Sequence, residues 1–207
     1  MAVREHDNKL EKEKVARIPV YDLSEKHIKN ARLLTNREEL LKKMKPDAIV
    51  AELGVDEGGF SEKILSITNP SKFHLIDLWG SERYNDNKRL SVTTKFKDEI
   101  EVGKIEINHG YSTDVVKEFP DNYFDWIYID TAHSYKVTIE ELNAYLPKMK
   151  EDGIIAGHDF TQGNWIDRLK YGVIEAVYEF CNKNDWEIIY ITSEAMNYPS
   201  FAIRKIN

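Results

Sequence analysis

The chain predicts an α/β fold: a doubly wound, seven-stranded, mostly parallel sheet with its last strand antiparallel and helices on both faces. Three observations predict it. Short apolar runs alternate with stretches of helical periodicity from residue 46 onward, the pattern of right-handed strand–helix–strand crossovers. A glycine-rich turn, "GVDEGG", follows the first of those apolar runs. The last two runs, "WEIIYIT" and "SFAIRK", stand only seven residues apart, too close for a helical crossover, so they pair antiparallel.

The elements follow in order. Residues 1 to 20 read as a mobile leader. Ser24 can cap a helix through about Leu34, and Thr35 with Glu38 reads as a capping box opening a second helix to about Met44, which Pro46 ends. Residues 1–45 are therefore expected to form a leader and helical cap, and 46–207 the α/β domain. "AIVAEL" (48–53) is a buried strand, and "GFSEKILSI" a helix with Phe60, Ile64 and Ile67 on one face. "KFHLIDLW" (72–79), "KIEINHG" (104–110), "FDWIYID" (124–130) and "GIIAGHDF" (153–160) are the next strands. Helices are expected at "RLSVTTKFKDEI", "TDVVKEF" and "LKYGVIEAVYEFCNK". Between the strands at 124–130 and 153–160, Tyr135, Ile139, Leu142, Leu146 and Met149 recur at spacings of four and three, a strong amphipathic helix.

Composition narrows the function. The single cysteine, Cys181, excludes an internal disulfide and suits a reducing cytoplasm, and no apolar run has the length of a membrane span. Residues 1–45 hold 12 Lys/Arg and 8 Asp/Glu while the remainder is acidic, giving −7 overall. Such an acidic body disfavours nucleic acid as the main partner, because phosphate tracking needs a basic surface. The surface charge at 1–45 is also what a solvated leader would carry. A homo-oligomer is compatible with the composition.

The glycine turn carries the first chemistry. Gly54 and Gly59 fit the outer positions of a dinucleotide fingerprint, but Asp56 stands where the middle glycine would admit a pyrophosphate, and no Lys-Ser/Thr follows Gly58 and Gly59 as in a P-loop. Glu52, just before the turn, repels phosphate and invites an ammonium. S-adenosyl-L-methionine (SAM), a zwitterionic amino acid on adenosine with no phosphate, meets both conditions. Glycines needed only for a tight turn are the plainer alternative. Asp77 ends the second strand about twenty residues on, where a carboxylate accepts from a ribose diol. Trp79 offers a wall for adenine or else packs in the core. Tyr111 and Ser112 lie where a loop reaches the adenine edge, and Ser112 can equally cap a helix.

Asp130 and His133 follow the fourth strand, and His158 and Asp159 end the fifth. Two carboxylates and two imidazoles at one sheet edge bind a divalent cation or supply a general base. Asp130 and Asp159 suit Mg²⁺ or Mn²⁺, and a histidine ligand shifts the preference toward later metals. Helix capping and loop hydrogen bonds are the alternative for these four.

Together, "ELGVDEGGFS", "LIDLW" and "FDWIYIDTAHSY…GIIAGHDF" resemble the class I SAM-dependent methyltransferases with their Rossmann-like fold. The closest likeness is a small O-methyltransferase-like group associated with sugar and natural-product pathways. The resemblance spans roughly residues 47 to 205. It implies that Glu52, Gly54, Asp56, Gly58 and Gly59 line the methionine part of SAM, and that Asp77 holds the ribose. Trp79, Tyr111 and Ser112 would stand near adenine, and Asp130 beside the methyl donor. In metal-dependent relatives, Asp130, His158 and Asp159 match ligand positions. This chain departs from the pattern with His at 158 and Ala132 before the histidine. The expected reaction is O-methylation of a small-molecule hydroxyl (sugar, nucleotide sugar or natural product), catalysed by Asp130 with His133 or His158 as base. Arg83, Arg89, Arg168 and Lys170, in loops outside the core fold, offer charges for an anionic acceptor. The competing readings are an NAD-dependent oxidoreductase and a non-catalytic SAM-fold binding module.

Overall fold

The computed structural model describes residues 18–164, 166, 168–194 and 198–207. The leader expected over residues 1–20 lies outside the described residues as far as residue 17. Eight strands form the central sheet, one more than expected: β1 (Arg32–Leu34), β2 (Ile49–Leu53), β3 (Lys72–Asp77), β4 (Ile105–His109), β5 (Phe124–Ile129), β6 (Met149–Gly157), β9 (Trp186–Thr192) and β10 (Phe201–Lys205). A two-stranded hairpin, β7 (Gly163–Asn164) and β8 (Leu169–Lys170), stands apart. The sheet order is β1-β9-β10-β6-β5-β2-β3-β4.

Within this sheet all pairings are parallel except those of β10, which runs antiparallel to β9, as the short connection requires, and to β6. Among the described residues the seven α-helices are α1 (Arg37–Leu41), α2 (Gly59–Thr68), α3 (Asp86–Lys95), α4 (Lys97–Glu101), α5 (Ser112–Val115), α6 (Tyr135–Tyr145) and α7 (Val173–Asn184).

The N-terminal region departs most from expectation. The helix expected over 24–34 is a single 3-10 turn, Glu25–His27, and Arg32–Leu34 instead extends the sheet as β1 beside β9. Capping at the next helix falls to Asn36, whose side chain accepts from the Glu39 amide at 2.9 Å, rather than to Thr35. The long helix expected at 89–100 is two pieces meeting at Phe96, whose backbone leaves the helical region. Leu169 and Lys170, expected in the last helix, belong to the hairpin.

Two apolar layers flank the sheet. From Trp126 onward the side chains of β5 alternate, and a register shift before Trp126 brings Phe124 to the face of Ile127 and Ile129, which join the cluster of Leu142, Tyr145, Val177 and Phe180 under α6 and α7. Trp126 and Tyr128 join Leu40, Leu41, Phe60 and Ile64 under α1 and α2. Burial on both faces is why this strand is apolar but for Asp125, whose carboxylate accepts from the Ile49 amide and pairs with Lys45 and Lys150.

The chain passes from β2 outward through β3 and β4, then returns to β5 on the other side of β2. That reversal is a topological switch point, and the carboxyl ends of β2 and β5 flank the crevice it opens.

Candidate active site

The glycine turn after β2 is built around a backbone crossing. Gly54 has φ of 87°, and a Cβ there would stand 2.0 Å from the Asp130 carbonyl oxygen, so only glycine lets β2 turn over the end of β5. The Asp130 amide in turn donates to the Leu53 carbonyl at 2.7 Å. Gly58, with φ of 72°, closes the turn against the Phe96 ring.

Asp77 holds this turn from β3. One carboxylate oxygen accepts from the Val55 amide at 2.8 Å and the Asp56 amide at 3.0 Å, and the other accepts from the Trp79 amide at 2.9 Å. Trp79 is buried, and its indole donates to the Asp56 carbonyl at 2.9 Å, tying the turns after β2 and β3 together. Asp56 takes a left-handed backbone and pairs with Lys88 at 2.5 Å.

Glu52 is fully buried, and Ser61 on the first turn of α2 donates to its carboxylate. Burial pushes its pKa up to about 8, and the neighbouring Asp130 charge adds to the shift that the Ser61 bond opposes. Asp130 is likewise raised, chiefly by burial, with His158 opposing and Asp159 reinforcing.

At the ends of β5 and β6 the predicted acids and imidazoles do converge. His133 Nδ1 lies 2.8 Å from Asp159 Oδ2, and the imidazole packs on Tyr171 with centroids 4.6 Å apart. Burial alone would lower the His133 pKa. The bonded Asp159 carboxylate outweighs it and raises the pKa above the ordinary value. Asp159 responds reciprocally: burial would raise it, but the bonds to His133 and His158 hold it well below the usual carboxylate range. Asp130, His133 and Asp159 each offer a ligand atom, all within 4.8 Å of one another. His158, expected in that set, has Nδ1 3.4 Å from Asp159 and 3.8 Å from Asp130, while its Nε2 is buried without a hydrogen-bond partner. A small cleft opens between Asp130, Thr131, His133, His158 and Thr138.

Ser112 and Tyr111 sit at the start of α5, with Tyr111 exposed. Ser112 donates to Glu141 at 2.5 Å, and Thr131, next to Asp130, donates to the other Glu141 oxygen at 2.7 Å. Glu141 is fully buried on α6, and burial pushes its pKa up to about 7 against those two bonds. This residue was not singled out from the sequence. Its signal was present: an acid on the stripe Thr138, Glu141, Leu142, Tyr145 that the helix turns inward.

Arg37, also missed, comes from α1. Its guanidinium lies over the Phe60 ring at 4.4 Å and 3.9 Å from the Asp130 carboxylate. Among the loop cations expected to meet an acceptor, Arg89 pairs with Asp86 and Lys170 with Glu175. Arg83 lies over Tyr84 at 5.1 Å, and Arg168 has a left-handed backbone in the hairpin, whose Trp165 and Asp167 are outside the described residues.

Comparison with known proteins fits this geometry. A family model described as a methyltransferase domain matches residues 51–160, from the glycine turn through Asp159, which is more than half the chain. No curated protein matches. A putative rRNA methylase from Clostridium thermocellum shares 15% identity at a TM-score of 0.63 over 84% of this chain and 98% of its own. A SAM-dependent methyltransferase from Aquifex aeolicus shares 13% at 0.59, over 82% and 89%. The B. subtilis M1A22 tRNA methyltransferase TrmK shares 15% at 0.59 over 83% of this chain, which spans 66% of its length. At such identities these three likenesses speak to the fold. The family match removes the nicotinamide reading, in line with Asp56 in the fingerprint. The chain belongs to this methyltransferase family and is a class I SAM-dependent methyltransferase.

Proposed function

We propose that the chain transfers the SAM methyl group to a hydroxyl of a small molecule, with His133 as the base. The observation that carries this reading is the His133–Asp159 pair, 2.8 Å apart, beside Asp130 at the switch point. Nδ1 of His133 is turned to Asp159, which fixes the tautomer that leaves Nε2 as the basic nitrogen. In the reaction the acceptor oxygen attacks the methyl carbon in line with the C–S bond. That bond breaks to give S-adenosylhomocysteine, and the acceptor proton passes to His133 Nε2. Asp159 then stabilises the imidazolium.

In the same reading, SAM lies along the carboxyl ends of β2 and β3. Gly54, Gly58 and Gly59 let its methionine part approach, and Glu52 and Asp130 face its cationic side. Asp77 and Trp79 shape the turn it rests on, and Tyr111 and Ser112 border the adenine. In the same reading the described part of residues 1–45 caps this edge of residues 46–207, which the reach of Arg37 to Asp130 supports.

A divalent cation is a second reading, favoured by the mutual approach of Asp130, His133 and Asp159. Two carboxylates and an imidazole are a fitting donor set for Mg²⁺, Mn²⁺ or a later metal. When bound, such an ion would lower the acceptor hydroxyl's pKa. His133 cannot then serve as a free base, so the two readings separate experimentally.

A sugar, nucleotide sugar or natural product remains the proposed acceptor class, and the acidic body beyond residue 45 argues against RNA. Among the described residues no helix is long and apolar enough to cross a membrane. The buried lone Cys181 supports a reducing cytoplasm as the proposed location. The test is S-adenosylhomocysteine release over a panel of sugars, nucleotide sugars, phenols and RNA, with EDTA or Mg²⁺. Turnover of a hydroxyl compound indifferent to EDTA supports the His133 base, and turnover lost in EDTA and restored by Mg²⁺ supports the metal. No turnover with any acceptor would favour a binding module, and turnover of RNA alone would overturn the acceptor class.

A further inference from the structure

The switch-point edge is crowded with acids. Glu52, Asp77 and Asp130 lie close enough for the charges of Asp77 and Asp130 to raise the Glu52 pKa, and Asp159 closes the row. An α-amino acid bound there brings an ammonium that suits those acids and a carboxylate that does not. A cation reaches the same point from the N-terminal side of the chain: Arg37, on the first turn of α1, before the matched family region begins.

Arg37 is placed with care by its element. Leu40 and Leu41 are buried in the core, Asn36 caps the helix, and Glu38 pairs with Lys63 of α2. The guanidinium therefore stacks on Phe60, in the first turn of α2, at 4.4 Å from the ring centroid. It approaches Asp130 at 3.9 Å, longer than a bidentate pair, and keeps a quarter of its side chain exposed. Besides Asp130 the guanidinium meets the Tyr128 hydroxyl, but it carries five N–H donors, more than these two neighbours use, in a fork that fits a carboxylate.

We propose that Arg37 is the receptor for the α-carboxylate of the cofactor's methionine part, so that the N-terminal cap reads whether the ligand is an intact amino acid. This rests on the SAM placement above. Binding would exchange the long Arg37–Asp130 contact for a charge-assisted pair with the ligand and leave Asp130 to the ammonium. The cap would then be coupled to the loaded state of the site.

Calorimetric titration with two probes tests it: S-adenosylhomocysteine, which carries the amino-acid group, and 5′-methylthioadenosine, which lacks it. Arg37→Ala should weaken S-adenosylhomocysteine roughly ten- to a hundredfold and leave methylthioadenosine within about twofold. Arg37→Lys should fall between, since an ammonium retains charge without the fork. Thermal melts of each variant confirm folding. Equal weakening of both probes, or S-adenosylhomocysteine binding unchanged in Arg37→Ala, would overturn the proposal. Wild-type protein that binds neither probe would instead overturn the SAM placement, and this proposal with it.

Discussion

At the scale of single residues, the pair His133–Asp159 makes the sharpest demand. The Asp159 carboxylate raises the His133 pKa above the ordinary imidazole value of 6.5, and a general base must be unprotonated to act. Activity (kcat/KM) should therefore rise with pH along an acidic limb lying above 6.5. Asp159→Asn removes the charge that raises it, so the limb should move to lower pH while the plateau drops by a factor on the order of 10². A pH–rate profile in which the limb stays put would mean that another group titrates. Asp130, His133, His158 and Asp159 were legible from the sequence because a strand end and a polar cluster coincide. That both imidazoles reach Asp159, His133 at 2.8 Å and His158 at 3.4 Å, was not, because it depends on how the ends of β5 and β6 lie side by side.

At the scale of elements, Glu141 joins three of them. It lies on α6, Ser112 opens α5, and Thr131 follows Asp130 in the loop after β5. Replacing it with Ala strands two hydroxyls, one of them beside Asp130. Glu141→Ala should cost on the order of 2–3 kcal/mol in urea unfolding, whereas Glu141→Gln, which keeps an acceptor and can repair the other bond, should cost less than about 1. Equal costs would show that the two hydrogen bonds carry no weight. The element scale is also where sequence reading failed at the N-terminus. A three-residue strand such as β1 has too little pattern to signal itself, and its partner β9 lies more than 150 residues away. The polar stretch after Ser24 carries cap-like residues, yet the chain spends only one 3-10 turn on them before joining the sheet. In contrast β5, largely apolar on both faces, and α6 were plain as elements, although the helix expected through Met149 ends at Tyr145, a 3-10 turn takes Leu146–Lys148, and Met149 opens β6. The positive φ at Gly54 and Gly58 likewise sits where the glycine turn was read.

At the scale of the whole molecule, the fold sets a buried acid cluster at its centre, and stability should report it. Glu52 titrates at about 8 in the folded chain against 4.5 for an exposed glutamate. A raised folded pKa gives stability that is full below about 4.5 and lost as pH rises through about 8. Glu52→Gln keeps an acceptor for Ser61 and does not ionise. Its melting temperature relative to wild type should therefore climb between pH 5 and pH 9 in ligand-free protein. A constant difference across that range would contradict a protonated Glu52. The long-range placements at this scale, Arg37 over Asp130 and Asp77 beneath the glycine turn, arise only once the sheet has brought distant segments together.

The central claim is that this edge of the sheet binds SAM and that His133 takes the acceptor's proton. Methyl transfer by His133→Asn, with S-adenosylhomocysteine affinity measured on the same sample, tests it most directly. Affinity should stay within about twofold of wild type while kcat falls by roughly 10²–10⁴. An unchanged kcat at unchanged affinity would contradict it.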